Sequence, residues 1–304
     1  MDDMVRALFS IFSRWRTIRY TSATYANFIT LSGYLRLPDQ DPVKAIKGLA
    51  GGGLGRGSTC GVVSGGCLAI AAAHLADIVG DRGKGEDLYR RILEFTTWFE
   101  ETFSSTLCSE LCGEAMNSAG GVLAWLYKGK AIRRCCRHVG IANAKAVEFL
   151  DRPLEKKNRA SSLDRRLAES GGYCAAEVLS GIRGETGLGS LYLEQLSVAL
   201  DGGIGLSGGL CGALAGAILP LSLADDISRS ILGRTLLLGN KSHLNRFMAE
   251  FKRVFGSFEC RDLTKLSFSS GNELAAHIGT SGSCTEIKYW CRREASQLIS
   301  AISN

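Results

Sequence analysis

Cysteine is the residue type of this chain whose number and positions point to chemistry. The 304 residues include 11 cysteines, and an odd number argues against complete pairing in disulfides. The chain begins Met1-Asp2-Asp3 without a secretory signal, so we expect a cytoplasmic protein. In that reducing compartment, cysteines serve more often as metal ligands or redox thiols than as disulfides. We therefore expect most of the thiols to be reduced or metal-bound.

The cysteines recur in two similar halves of the chain. Residues 52–55 (Gly-Gly-Leu-Gly) correspond to 202–205 (Gly-Gly-Ile-Gly), and after a one-residue slip the CGxxxG motif that starts at Cys60 corresponds to the one that starts at Cys211. A phenylalanine-rich stretch, 95–111, also recurs at 247–263. Repetition at a nearly constant offset is the signature of an internal duplication.

The repeat divides the chain into predicted domains. An amphipathic helix at 1–19 precedes a first module at 20–150, and a charged linker containing a proline, 151–164, leads to a second module at 165–304. Because 45% of the residues are apolar, each module is expected to bury a core of its own.

Apolar residues recur at helical spacing within each module, as in Leu88, Ile92 and Phe95, whereas the alternation typical of strands is scarce. We predict an all-α fold: two homologous helical-bundle domains in tandem, with about five helices each, related by a pseudo-two-fold axis. Two stretches, 57–78 and 202–224, are long enough to span a membrane, but their many small residues favour buried central helices.

The charge of the chain and one amphipathic segment indicate whether nucleic acid or a membrane could be a partner. The net charge is +6, with basic clusters at 14–19, 133–137 and 156–166. No aromatic-basic motif accompanies these clusters, so they indicate solvated faces and no nucleic-acid partner. The segment Val5–Trp15 could contact a membrane surface, although packing on its own domain is the favoured interpretation.

Four segments of the second module carry a recognisable pattern. They are Tyr173-Cys174-Ala175-Ala176-Glu177, Cys211-Gly212-Ala213-Leu214-Ala215-Gly216, Phe258-Glu259-Cys260 and Cys284. This pattern resembles the C_GCAxxG_C_C family, a small helical bacterial and archaeal family with four characteristic cysteines that is described as redox-active. The resemblance implies one four-cysteine site, formed by Cys174, Cys211, Cys260 and Cys284. Four thiolates suit an iron–sulfur cluster or a zinc ion.

The first module matches the family less completely. Three of its cysteines correspond: Cys60, Cys108 and Cys136. The remaining family position falls near Thr24 or Ala26, so a site in this module lacks one thiol, for which Cys112 could substitute. Cys135 is interpreted as a spectator and Cys67 as a packing residue.

Cys211 is the candidate reactive thiol. It follows a glycine-rich turn at the expected start of a central helix, where backbone N–H groups and the helix dipole should lower the pKa of the thiol. Gly203, Gly205 and Gly212 are expected to form the backbone turn at this site.

Several other chemistries have no support in the sequence. Residues 203–208 formally read GxGxxG, but a helical stripe precedes them instead of a strand, so we expect no nucleotide. No CxxCH occurs, so we expect no haem. The four histidines form no HExxH, and no GxSxG or P-loop is present.

Three functional classes stay open. The first is an electron-transfer or sensing protein that binds metal or an iron–sulfur cluster and works with a redox partner protein of unknown identity. The second is a metal-free thiol–disulfide protein with Cys211 as the attacking group and Cys174 or Cys260 as the resolving one. The third is a duplicated helical scaffold without chemistry. Whether the protein is an enzyme is left open.

Overall fold

The computed structural model describes residues 11–12, 15–17, 19–20, 22–37, 41–80, 83–113, 130–156, 172–225 and 242–303. These residues are mostly helical and contain no β-strand, apart from two isolated bridges.

The first copy consists of α1 (Ala23–Tyr34), the 3₁₀ helix η1 (Asp41–Leu49), α2 (Gly61–Gly80), α3 (Gly85–Phe103), α4 (Cys108–Cys112) and α5 (Lys130–Asp151). The second consists of α6 (Ala175–Thr186), α7 (Leu191–Leu196), the 3₁₀ helix η2 (Ser197–Leu200), α8 (Gly212–Ala224), α9 (His243–Phe255), α10 (Cys260–Thr264), α11 (Gly271–Thr280) and α12 (Gly282–Ser303). The predicted all-α class is confirmed.

Local sequence signals account for many helix ends. Ser22 caps α1 by accepting a hydrogen bond from the Tyr25 N–H, which would otherwise lack a partner in the first helical turn. Serines begin three further helices in the same way: Ser190, Ser242 and Ser270. Glycines with positive φ, Gly187 and Gly256, end α6 and α9.

The central helices α2 and α8 form the core, as predicted. Glycines let their neighbours approach closely: a Cβ on Gly65 would lie 2.5 Å from the carbonyl oxygen of Thr24, and one on Gly216 would lie 2.5 Å from that of Ala175. Among the described residues, Gly61–Ile78 is the one helical segment long and apolar enough to cross a membrane, and 78% of it is buried within the protein.

The glycine-rich turn has the same backbone conformation in both copies. Residues 51–55 and 202–206 all have positive φ, including the non-glycine residues Leu54, Ile204 and Leu206. The hydrogen bond from Gly57 N to Gly51 O recurs from Gly208 N to Gly202 O, at an offset of 151. Cys60 and Cys211 share that offset. The one-residue slip was therefore wrong: the turn and the CGxxxG motif align without interruption.

The short 3₁₀ helix of each copy packs against the central helix of the other copy. η1 of the first copy packs on α8 of the second, and η2 packs on α2 of the first. Thr59 and Leu210, which are equivalent at the same offset, meet where the copies join: the Leu210 N–H donates to Thr59 Oγ1 at 2.8 Å. Contact between equivalent residues is what a pseudo-two-fold axis produces.

The buried apolar residues form one cluster that runs through both copies. The expectation of a separate core in each module was wrong, because each central helix is covered partly by the 3₁₀ helix of the other copy. The predicted segments 1–19 and 151–164 lie largely outside the described residues. Within the described part, Ile11, Phe12 and Trp15 are exposed, whereas Leu154 at the start of the linker is buried.

Candidate thiol sites

A short antiparallel bridge joins two cysteine segments that are far apart in the sequence. Leu210 pairs with Glu259, so that the Cys211 N–H donates to Phe258 O at 2.8 Å and the Cys260 N–H donates to Gly209 O at 2.6 Å. The first copy repeats this bridge between Thr59 and Leu107. Each copy therefore fixes its CGxxxG cysteine beside the cysteine of the following short helix, at the backbone level.

All four cysteines of the predicted second-copy site line one cavity of about 20 Å³, enough for one water molecule or ion. Cys174, Cys211 and Cys260 are buried, and Cys284 is partly exposed. The remaining wall is mainly apolar, with Lys288 as a charged lining residue that pairs with Glu177 at 2.8 Å. The apolar part consists of Leu263, Phe268, Leu274, Ile278 and Ile287 together with Gly212 and Ala213.

Two of the three predicted site glycines allow close approach at this cavity. A Cβ on Gly212 would lie 2.9 Å from the Cβ of Cys174, and one on Gly203 would lie 2.8 Å from the Cβ of Cys260. Gly205 faces the other copy instead, because a Cβ there would lie 2.9 Å from Cys67 Sγ. Cys67 itself is fully buried, as expected for a packing residue.

Burial dominates the ionisation of the second-copy thiols. It raises the pKa of Cys211 to about 11, although the backbone N–H groups of Leu214 and Ala213 act in the opposite direction. Burial also raises the pKa of Cys174, to which the charge of Asp201 contributes, and that of Cys260, with Cys211 contributing. The expectation of a lowered pKa at Cys211 was wrong, since desolvation outweighs the helix-start effect.

A buried carboxylate holds the helix that carries Cys174. Asp201 Oδ1 accepts from the N–H of Cys174 at 2.8 Å and of Ala175 at 3.3 Å, and Oδ2 accepts from the N–H of Tyr173 at 2.9 Å. The hydroxyl of Tyr89, from the first copy, also donates to Oδ2 at 2.7 Å. Sequence reasoning missed Asp201. Its position directly before the glycine-rich turn was the available signal.

The residue types around the second-copy cavity suit a thiophilic metal, but the distances between their side chains do not match those of a metal site. Four sulfur ligands are the donor set that zinc and iron–sulfur clusters prefer. Within the described ranges, however, no group of three or more His, Cys, Asp or Glu side chains stands at metal-binding spacing. Binding a metal there would therefore require the cysteine side chains to turn toward a common centre.

The first copy brings together a different set of thiols from the predicted one. Cys112 Sγ lies 3.8 Å from Cys108 Sγ and 3.3 Å from Cys135 Sγ. Burial raises the pKa of Cys60, and the neighbouring thiols Cys112 and Cys135 raise it further, so Cys60 lies near this group. Cys135, interpreted from the sequence as a spectator, thus contacts Cys112. Cys136, its neighbour on α5 and the residue predicted for the site, is buried.

The missing thiol of the first copy can be placed by equivalent contacts. A Cβ on Gly61 would lie 3.5 Å from the Cβ of Ala23, in the arrangement that Gly212 has with Cys174. Ala23, and not Thr24 or Ala26, is therefore the counterpart of Cys174. At the offset of 151, Asp201 corresponds to Ala50. The first copy thus has neither the thiol nor the carboxylate that positions it.

Cys291 is a further second-copy thiol that sequence reasoning did not consider. It lies on α12, seven residues after Cys284, and is fully buried. Burial raises its pKa, with a smaller contribution from Cys211. It does not line the cavity among the described residues.

The comparison with protein families agrees with the tandem arrangement. The model of the family described as "Putative redox-active protein (C_GCAxxG_C_C)" matches the chain twice, over residues 23–149 and 172–295. No curated protein and no solved structure matches the chain significantly.

Proposed function

The chain belongs to the C_GCAxxG_C_C family of redox-active proteins, and from this premise we propose that its second copy is a thiolate-ligated metal centre for electron transfer or redox sensing. Cys174, Cys211, Cys260 and Cys284 would hold an iron–sulfur cluster or a zinc ion. The observation that carries the proposal is the shared cavity, whose wall contains all four of these thiols.

The ionisation of the thiols supports a metal ligand role over free nucleophiles. Burial raises the pKa of Cys174, Cys211 and Cys260, so thiolates are scarce in the metal-free protein at neutral pH. A bound cation deprotonates coordinating thiols, because its positive charge stabilises the thiolates that burial disfavours. An iron–sulfur cluster would add one-electron chemistry. An iron–sulfur cluster is larger than a cavity of about 20 Å³, so the surrounding apolar side chains would have to move outward to admit one.

Metal content tests this proposal directly. The protein is purified without oxygen, and iron, zinc and acid-labile sulfide are measured for the wild type, Cys211→Ala and Cys67→Ala. Cys67 is the matched control, since it is a buried cysteine outside the cavity. We expect stoichiometric metal in the wild type and in Cys67→Ala, and its loss in Cys211→Ala. Metal-free wild-type protein, or equal retention in both variants, contradicts the proposal.

The absence of metal-spaced groups among the described residues favours one second candidate, a metal-free thiol–disulfide couple. Cys211 would attack and Cys260 or Cys174 would resolve, because the bridge holds the backbones of Cys211 and Cys260 together. This candidate predicts metal-free protein whose second-copy thiols are oxidised reversibly by two electrons, with a Cys211–Cys260 or Cys211–Cys174 disulfide in the oxidised form.

A further inference from the structure

Three sulfur atoms of the first copy lie close together, with Cys112 Sγ 3.3 Å from Cys135 Sγ and 3.8 Å from Cys108 Sγ. We propose that Cys112 and Cys135 form a second redox site, a dithiol that closes into a disulfide by exchange with a small disulfide that carries carboxylates. The site is separate from the second-copy cavity and uses two cysteines outside the three family positions that the first module matches.

The geometry is close to that of the oxidised state. A disulfide bond is about 2.05 Å long, so the two sulfur atoms at 3.3 Å must approach by little more than about 1 Å. Cys112 is the last residue of α4 and precedes Gly113, which has φ +68°. Among the described residues, a Cβ on Gly113 would meet nothing within 4 Å, so no described neighbour blocks movement at this end of the short helix.

The exposure of the three cysteines assigns their roles. Cys108 and Cys112 are each 5% exposed, whereas Cys135 is partly exposed. An incoming disulfide therefore reaches Cys135 first, and Cys112 lies behind it. The contact with Cys108 raises the pKa of Cys112 to about 12, while the contact with Cys135 and the charge of Arg134 act in the opposite direction. Cys112, the less accessible of the two thiols, is therefore the one that resolves the mixed disulfide.

The charges around Cys135 define the class of substrate. Arg133, Arg134 and Arg137 flank it on α5, and all three are exposed. Within the part of the chain that the structure describes, the short α4 contributes one opposing charge, Glu110. A net positive patch raises the local concentration of anions, so it favours a disulfide that bears carboxylates over a neutral or cationic one.

The exchange balances in two steps. The thiolate of Cys135 attacks one sulfur of the external disulfide, which forms a mixed disulfide and releases the first external thiol. Cys112 then loses its proton and attacks the Cys135 sulfur, which releases the second external thiol. The protein loses two thiol hydrogens and two electrons, and the external disulfide becomes two thiols. Excess external thiol reverses both steps.

Peptide mapping of the full-length protein tests the proposal. The reduced protein is mixed with glutathione disulfide as the anionic probe or with cystamine as the cationic one, then quenched with acid and mapped without reductant. We expect a Cys112–Cys135 cross-link in the wild type. Cys112→Ser should accumulate glutathione on Cys135, Cys135→Ser should form neither product, and the adjacent control Cys136→Ser should behave as the wild type.

A charge variant tests the substrate class. The double substitution Arg134→Gln and Arg137→Gln should slow cross-linking by glutathione disulfide about two- to fivefold and leave the reaction with cystamine as fast or faster. Absence of the cross-link in the wild type, or a Cys108–Cys112 link in its place, overturns the dithiol. Equal slowing with both probes overturns the anionic substrate. Because Cys211→Ala leaves the first-copy thiols intact, the result is independent of the metal measurement.

Discussion

The hydroxyl of Tyr89 in the first copy donates a hydrogen bond of 2.7 Å to Asp201 Oδ2 in the second. Both residues are almost completely buried. Asp201 in turn accepts from the backbone N–H of Cys174, so one carboxylate connects α3 of the incomplete copy to a cysteine of the complete one. The first copy therefore supports the second-copy site through a specific polar contact as well as through the shared core.

Removing this hydroxyl should weaken the fold and the site together. Tyr89→Phe takes one of four donors from a buried carboxylate, and hydrogen bonds to charged groups contribute about 1.5–3 kcal/mol. We expect the free energy of unfolding in urea to fall by that amount. The matched control is Tyr34→Phe, because the exposed hydroxyl of Tyr34 donates to Asp151 at the same distance of 2.7 Å. This substitution should change the free energy of unfolding by less than about 0.5 kcal/mol. Equal effects of the two substitutions would contradict the role of Asp201.

Gly212 should tolerate no side chain. An added Cβ would lie 2.8 Å from Leu200 O and 2.9 Å from the Cβ of Cys174, and overpacking of this kind costs about 1–3 kcal/mol. We expect Gly212→Ala to lower the urea midpoint and to reduce metal retention. Gly184→Ala, in α6, is the control, because no atom of the described residues lies within 4 Å of its Cβ position. That variant should be neutral or more stable, by up to about 1 kcal/mol. A stable Gly212→Ala would show that α8 can shift away from Cys174.

The metal-free protein should lose stability at alkaline pH through Cys211. Its pKa is about 11 in the folded protein and 9.0 for an unperturbed cysteine, so the unfolded chain releases the proton first as the pH rises. The stabilising contribution is complete below pH 9 and disappears by about pH 11. This difference in pKa between the folded and unfolded protein corresponds to about 2–3 kcal/mol in the free energy of unfolding. The free energy of unfolding should therefore fall less steeply between these pH values in Cys211→Ala than in the wild type. Parallel pH profiles would refute this assignment.

The second copy should not fold alone. Its α8 is covered by η1 of the first copy, and its Asp201 depends on Tyr89. A fragment of residues 165–304 should therefore unfold without cooperativity, and co-expression with residues 1–164 should restore a cooperative transition measured by circular dichroism. A fragment that unfolds cooperatively by itself would show that the shared core is dispensable.

The sequence by itself determined the helical class, the duplication and the cysteine pattern of the second copy. Helices were readable because residues such as Phe95 and Phe99 keep to one face at a spacing that is a local property of the chain. The repeat was readable because identities at a constant offset need no structure. The family resemblance supplied the grouping of four cysteines, whose spacings alone were uninformative.

Only the tertiary structure decided which thiols meet and how they ionise. Cys135 and Cys136 are adjacent in sequence, but successive residues of a helix point about 100° apart, so the rotation of α5 decides that Cys135 meets Cys112. The pKa of Cys211 depends on desolvation by residues distant in sequence, which outweighs the local effect of the helix start. The link from Tyr89 to Asp201 exists because the two copies interlock, and no local pattern encodes which surfaces are buried between copies.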